Sequence, residues 1–156
     1  MPLSPPLCES AGSLGIDLDL SDNYLTSVSL SCASFIQTME WRNTIVELQL
    51  QENVIADLEW MKEGKSFPAM KILNLCDNKL TELEGIGLAC PSICHLHLSG
   101  NPLPASAVVL APLKELKKLV TLDAARSPLC NHQEYASYVS KHLKNVQVSE
   151  ALNIMF

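Results

Sequence analysis

The stretch MKILNLCDNKL, residues 70–80, sets Leu73 and Leu75 two residues apart, then Asn78, then Leu80. ICHLHLSGNPL, residues 93–103, repeats the arrangement with Leu96, Leu98, Asn101 and Leu103. Working outward, IVELQLQENVI (45–55) and GIDLDLSDNYL (15–25) fall on the same frame, and LVTLDAARSPL (119–129) is a degenerate fifth copy. The ninth position holds Asn23, Asn53, Asn78 and Asn101, with Ser127 in the last copy, at separations of 30, 25, 23 and 26 residues. An internal period in this range means that each unit buries its apolar face only by stacking on its neighbours.

The frame L-x-x-L-x-L-x-x-N-x-L is the leucine-rich repeat. Its fourth and sixth positions are Leu18/Leu20, Leu48/Leu50, Leu73/Leu75, Leu96/Leu98 and Leu122/Ala124. Residues two apart share one side of a strand, so these belong to the core. An asparagine recurring among leucines would be costly if buried unpartnered; its carboxamide both donates and accepts, so it can bond backbone where the chain leaves each strand. Asn23, Asn53, Asn78 and Asn101 are therefore read as a structural ladder, with Ser127 doing part of the same work.

The expected fold is an α/β solenoid of about five repeats, with a curved parallel sheet on the concave face and helices or helical turns outside. Residues 15–130 are the repeats, 1–14 a proline-bearing flexible lead and 131–156 a C-terminal cap. The outer segments are Val28 to Glu40, Ala56 to Lys62, Leu83 to Leu88 and Ser106 to Lys118, the first and last long enough for true helices, although Pro112 favours a kink or late start in the last. Tyr135, Val139 and Leu143 recur at four-residue spacing, which predicts an amphipathic capping helix starting at Asn131.

The 156 residues suit one domain with a sizeable core. Forty-seven per cent hydrophobic and 18% charged residues, with a mean hydropathy of +0.15, argue against disorder. Eleven bases against 17 acids give a net charge of -6, which disfavours nucleic acid and anionic membranes and favours a basic partner. Cys8, Cys32, Cys76, Cys90, Cys94 and Cys130 contain no C-x-x-C pair and read as free thiols of an intracellular, reducing setting. No apolar run is long enough to span a bilayer. A monomer is expected.

Positions three, five and seven of each repeat should project onto the concave face. Position three supplies Asp17, Glu47, Ile72, His95 and Thr121; position five supplies Asp19, Gln49, Asn74, His97 and Asp123; position seven supplies Ser21, Gln51, Cys76, Ser99 and Ala125. Residues 1–84 hold 13 acids and five bases, and 85–156 hold four acids and six bases. The acidic residues gathered at the N-terminal edge form a landing patch for a basic peptide, such as a histone segment. His95 and His97 share a face about 7 Å apart. With Asp123 or Cys76 they leave open a remote reading as a metal-dependent or thiol enzyme. No nucleophile elbow, phosphate loop, H-E-x-x-H or dinucleotide fingerprint occurs, so the main reading is non-enzymatic, with no cofactor or metal.

The repeats together with LAPLKELKKLVTLDAARSPLCNHQEYASYVSKHLKNV (110–146) resemble the short leucine-rich proteins that include the acidic leucine-rich nuclear phosphoproteins. The likeness lies in a Leu-Lys-rich helix, an L-x-x-L-D strand and a Tyr-initiated cap, with Tyr135, Val139, Leu143 and Val146 on the cap's apolar positions. It implies a protein-binding module of the nucleus or cytoplasm that binds histones or inhibits a serine/threonine phosphatase. The chain carries no long Asp/Glu run, so what the resemblance implies is confined to the repeat domain. The alternative is a phosphatase-targeting or cytoskeletal and axonemal scaffold.

Overall fold

The structure is a computed structural model, and it describes residues 15–33, 37–62, 65–131 and 133–148. The expected lead over residues 1–14 and the last residues of the cap, 149–156, lie outside the described residues. Six strands form one parallel sheet in chain order: β1 (Ile16–Asp19), β2 (Ile45–Gln49), β3 (Ile72–Asn74), β4 (His95–His97), β5 (Thr121–Asp123) and β6 (Gln147–Val148). Sequential parallel order means that every turn of the chain stacks on the one before it, which is a solenoid. The register is that of the repeat frame: Leu48, Leu73, Leu96 and Leu122 stand opposite one another, as do Glu47, Ile72, His95 and Thr121. Between β1 and β2 the register slips once, Ile16 facing Ile45 but Asp17 facing Glu47, so that Val46 is the extra residue of a bulge.

Leu48, Leu50, Leu73, Leu75, Leu96, Leu98 and Leu122 are fully buried. Leu18 and Leu20 are only half-buried against that core, a departure from the expected burial; among the described residues their strand, β1, has a neighbouring strand on one side alone. Asn53, Asn78 and Asn101 are buried and build the ladder. The Asn78 Nδ2 donates to the carbonyls of Leu50 at 2.9 Å and Leu75 at 3.1 Å, and its Oδ1 accepts from the Ile55 N–H at 2.9 Å. Asn53 and Asn101 repeat this set one turn to either side. Each carboxamide thus ties the turn of its own repeat to the turn of the preceding one.

The two ends of the ladder differ from expectation. Asn23 is exposed, its Nδ2 donating to the Ser21 carbonyl at 2.9 Å, and its own N–H donates to Asn53 Oδ1 at 3.0 Å. Ser127 Oγ donates to the Ala124 carbonyl at 2.6 Å, within its own repeat, since a hydroxyl on one carbon cannot span to the next turn. Immediately before the ninth position, Asp22, Glu52, Asp77 and Arg126 all adopt a left-handed backbone with φ between 54° and 59°, and Gly100 has φ of 78°. Only at Gly100 is a side chain also excluded by space, since a Cβ there would lie 2.1 Å from Asp77 Oδ1.

The convex side is built of shorter pieces than the sequence suggests. Val28 to Glu40 is not one helix: α1 (Ser27–Cys32) is closed by a Thr26–Ser29 capping box and ends in extended backbone at Ala33, and α2 (Met39–Thr44) runs into β2. Serine-rich SVSLSC is a weak helix former, and Ser31 Oγ turns back onto the Ser27 carbonyl at 3.0 Å. Residues 34–36 of that expected helix lie outside the described residues. Ala56 to Lys62 holds a single 3-10 turn, Glu59–Met61, and α3 (Ile86–Ala89) falls in the next connection.

Ser106 to Lys118, expected as a true helix, is a 3-10 helix over Ala107–Glu115. Pro112 lies inside it, and proline has no N–H for an α-helical bond and clashes with the carbonyl four residues back. The capping helix α4 (Tyr135–His142) starts later than expected: Asn131 ends a 3-10 turn, Pro128–Asn131, and Glu134 occupies the cap position without its side chain capping the helix N–H groups. Tyr135, Val139 and Leu143 are buried as their spacing implies. The strand β6 that follows was not foreseen; its two residues pair with Thr121 and Leu122. Among the described residues no helix is long and apolar enough to cross a membrane.

Trp60 is fully buried, its ring edge-on to Phe67 at 6.0 Å, whereas Trp41 is exposed. The central leucines carry the stack, and Leu73, fully buried at the middle of β3, is the plainest probe of it. Leu73→Ala should lower the unfolding free energy by about 2 to 5 kcal/mol. Urea denaturation measures this, and an unchanged midpoint would contradict the register.

Candidate functional site

The parallel register lays the concave residues out in rows about 4.8 Å apart from strand to strand. Along position three run Asp17, Glu47, Ile72, His95 and Thr121; along position five run Asp19, Gln49, Asn74, His97 and Asp123. Asp17 and Asp19 are exposed and the others half-buried, so all ten side chains stand on one accessible face. Position seven follows the expectation only in part: Ser21, Gln51 and Cys76 are half-buried like the rows beside them. Ser99 and Ala125 are buried, because the chain is already turning and Arg126 folds over them, its Nη2 donating to Ser99 Oγ at 3.1 Å. Nη1 of Arg126 reaches Asp77 Oδ1 at 2.9 Å, across the repeat whose equivalent residue is Gly100.

Several of the polar residues also serve the backbone. Asp19 Oδ1 accepts from the Ser21 hydroxyl at 2.7 Å and the Ser21 N–H at 2.9 Å, Asn74 Oδ1 from Cys76 N–H at 3.0 Å, and Asp123 Oδ1 from Ala125 N–H at 3.1 Å. These bonds close the strand exits. The Ser21 hydroxyl and N–H hold the Asp19 carboxyl below its ordinary value, so it stays anionic at neutral pH. Gln49 links the rows, donating to Glu47 Oε1 and accepting from Asn74 Nδ2 at 3.0 Å.

The electrostatics are lopsided. Asp17 and Glu47 stand directly opposite each other on β1 and β2, with Asp19 two residues along. Among the described residues none of the three is in an ion pair. Like charges facing each other across neighbouring strands are unfavourable, so this arrangement costs stability unless something positive covers it.

The histidines do not make a metal centre. His95 Nδ1 lies 3.1 Å from Thr121 Oγ1, and burial, then His97, lower its pKa from the ordinary imidazole value. Burial pushes the Cys76 thiol up to about 11, so it is protonated near neutral pH and a poor metal ligand or nucleophile. Among the described residues no group of three or more His, Cys, Asp or Glu side chains is placed to hold a metal ion. Cys90 and Cys94 are buried in the core, where burial pushes the Cys90 thiol up to about 12.

The fold and this face define a leucine-rich-repeat solenoid with an open, polar concave sheet. A chain in the crystal structure of the Drosophila melanogaster SNF/U2A' complex is similar to it, with a TM-score of 0.66 over 97% of this chain and 88% of that chain at 19% sequence identity. At that identity the likeness shows the fold. No family model matches the sequence.

The thiols provide a check on the concave geometry. At about pH 8, iodoacetamide should modify the exposed Cys32 while Cys76 stays intact until the pH approaches its raised value. Peptide mass mapping of the native protein reads this, and modification of Cys76 as fast as Cys32 would contradict its placement.

Proposed function

We propose that the protein is a non-catalytic protein-binding module whose concave face receives a basic peptide segment, with Asp17, Asp19 and Glu47 as the main contacts. The observation that carries this reading is the uncompensated carboxylate pair, Asp17 opposite Glu47. Lysine or arginine side chains on a partner would relieve that repulsion and replace the missing counter-charge. The amide row of Gln49 and Asn74 and the apolar Ile72 continue the face toward His95 and His97, offering hydrogen bonds and modest apolar contact to an extended chain.

Two further considerations favour this reading. The resemblance to the acidic leucine-rich nuclear phosphoproteins implies histones or a serine/threonine phosphatase as partners, and the acidic edge suits the lysine- and arginine-rich segment of a histone better than a folded enzyme surface. The similar solved chain belongs to a complex, which fits a fold used for association. On this account the protein works by occlusion or chaperoning, making and breaking no covalent bond.

The test is fluorescence anisotropy of a labelled lysine- and arginine-rich peptide at about 0.05 M and about 0.3 M salt, conditions that change charge screening strongly. Binding should weaken at the higher salt, and the Asp17→Lys/Glu47→Lys variant should lose at least about tenfold in affinity, or about 1.4 kcal/mol. Its melting temperature should stay within a few degrees of the parent's, since Asp17 is exposed and Glu47 only half-buried. Salt-insensitive binding that survives the double substitution would move the site elsewhere.

A further inference from the structure

The opposite end of the solenoid has the reverse charge. A cavity of about 230 Å³ opens between the end of the Ala107–Glu115 helix and the end of α4. Its floor is apolar, formed by Leu116, Leu119 and Leu143. Its walls carry Lys114, Lys117, Lys144 and His142, and no carboxylate lines it among the described residues.

The cations are partly arranged before any ligand arrives. Lys117 Nζ donates to the Lys114 carbonyl at 2.8 Å, which holds its ammonium beside the backbone of a segment that lines the cavity. Lys114 Nζ sits 5.4 Å over the Tyr138 ring, and that ring packs against His142 at 4.5 Å between centroids. None of the three lysines is in an ion pair among the described residues. Burial, then Lys114 and Lys141, hold His142 below its ordinary value, so the lysines carry the positive charge and His142 meets a ligand as a neutral hydrogen-bonding imidazole. Lys141 and His142, in the last turn of α4, already answer the negative end of that helix dipole. Lys114 and Lys117 come from a different segment and add charge that the helix end does not require.

We propose that this cavity is a second binding site, separate from the concave face, which takes one phosphate monoester of a phosphorylated peptide against Lys117, Lys144 and His142. A compact dianion matches a small cavity ringed by cations, and the adjoining leucines accommodate an apolar neighbour on the same peptide. The chain's net charge of -6 opposes extended polyanions, which disfavours nucleic acid or an anionic bilayer as the occupant.

The test titrates the ¹⁵N-labelled full chain with a phosphoserine peptide, its unphosphorylated twin and phosphatidylserine vesicles, following the Asn145 amide and the His142 imidazole protons. The expected result is saturable shifts at these two reporters with the phosphopeptide alone, weakened at least tenfold by Lys117→Gln/Lys144→Gln and unchanged by Asp17→Lys/Glu47→Lys. The Lys65→Gln/Lys79→Gln pair of substitutions, at one half-buried and one exposed lysine outside the cavity, serves as a charge-matched control and should leave the binding intact. Equal shifts with the unphosphorylated peptide, binding to vesicles only, no shifts, or equal loss in the control variant would each overturn the proposal.

Discussion

The stack depends on one side-chain group: the asparagine carboxamide at each strand exit. Asn53, Asn78 and Asn101 each donate to a leucine carbonyl of their own repeat and to the equivalent carbonyl of the preceding repeat, while accepting from an N–H of that preceding repeat. Buried backbone groups left unpaired would cost about 1 to 3 kcal/mol each, so the chain turns sharply without that penalty only while the carboxamides are in place. The left-handed conformation recurring at Asp22, Glu52, Asp77, Gly100 and Arg126 belongs to the same turn. It sends the N–H of Asp22, Glu52, Asp77 and Gly100 to a carbonyl of the next repeat, continuing the parallel ladder past the end of the strands. The leucines supply the burial energy, and the asparagines fix where each turn ends.

That fixed spacing gives the concave face its functional character. Since register is pinned at Leu48, Leu73, Leu96 and Leu122, the residue before and the residue after each of these leucines must line up with their counterparts across the sheet. Asp17 and Glu47 cannot avoid each other by shifting along their strands, because a one-residue slip would carry leucines out of the core. A carboxylate pair held together in this way is a standing electrostatic cost that a cationic partner would remove. At the other end, cations from two segments gather over a small apolar-floored cavity, so the two ends of the described stack carry opposite charge.

The central repeats were legible because two periodicities, alternation of leucines and recurrence of asparagine, pointed to the same register. Position three and five residues fell on the accessible face as that register requires. Position seven followed only in its first three copies; Ser99 and Ala125 are covered where the chain has begun to turn, and Arg126 reaching back to Asp77 is a contact between residues 49 apart with no local signal. Gly100 was the available hint, as the glycine among the left-handed residues that precede the ninth position and the gap over which that arginine passes. The convex segments were misjudged in type because their apolar residues fit α and 3-10 geometry alike over a turn or two, and Pro112 decided between them. The sixth strand has no sequence pattern of its own: two residues, Gln147 and Val148, extend because the edge of β5 offers them hydrogen bonds.

The central claim, that the carboxamides hold the turns of consecutive repeats together, is tested most directly by native-state hydrogen exchange at the amides that donate to them. The N–H groups of Ile55 and Leu80, bonded to Asn78 Oδ1 at 2.9 Å and Asn101 Oδ1 at 3.0 Å, lie in loops that carry no regular secondary structure. If the ladder organises the stack, both amides exchange only through global opening, with an exchange free energy equal to that of unfolding. Exchange through small local openings, at the rate of ordinary surface loops, would contradict the account and leave the leucine core alone as the source of order.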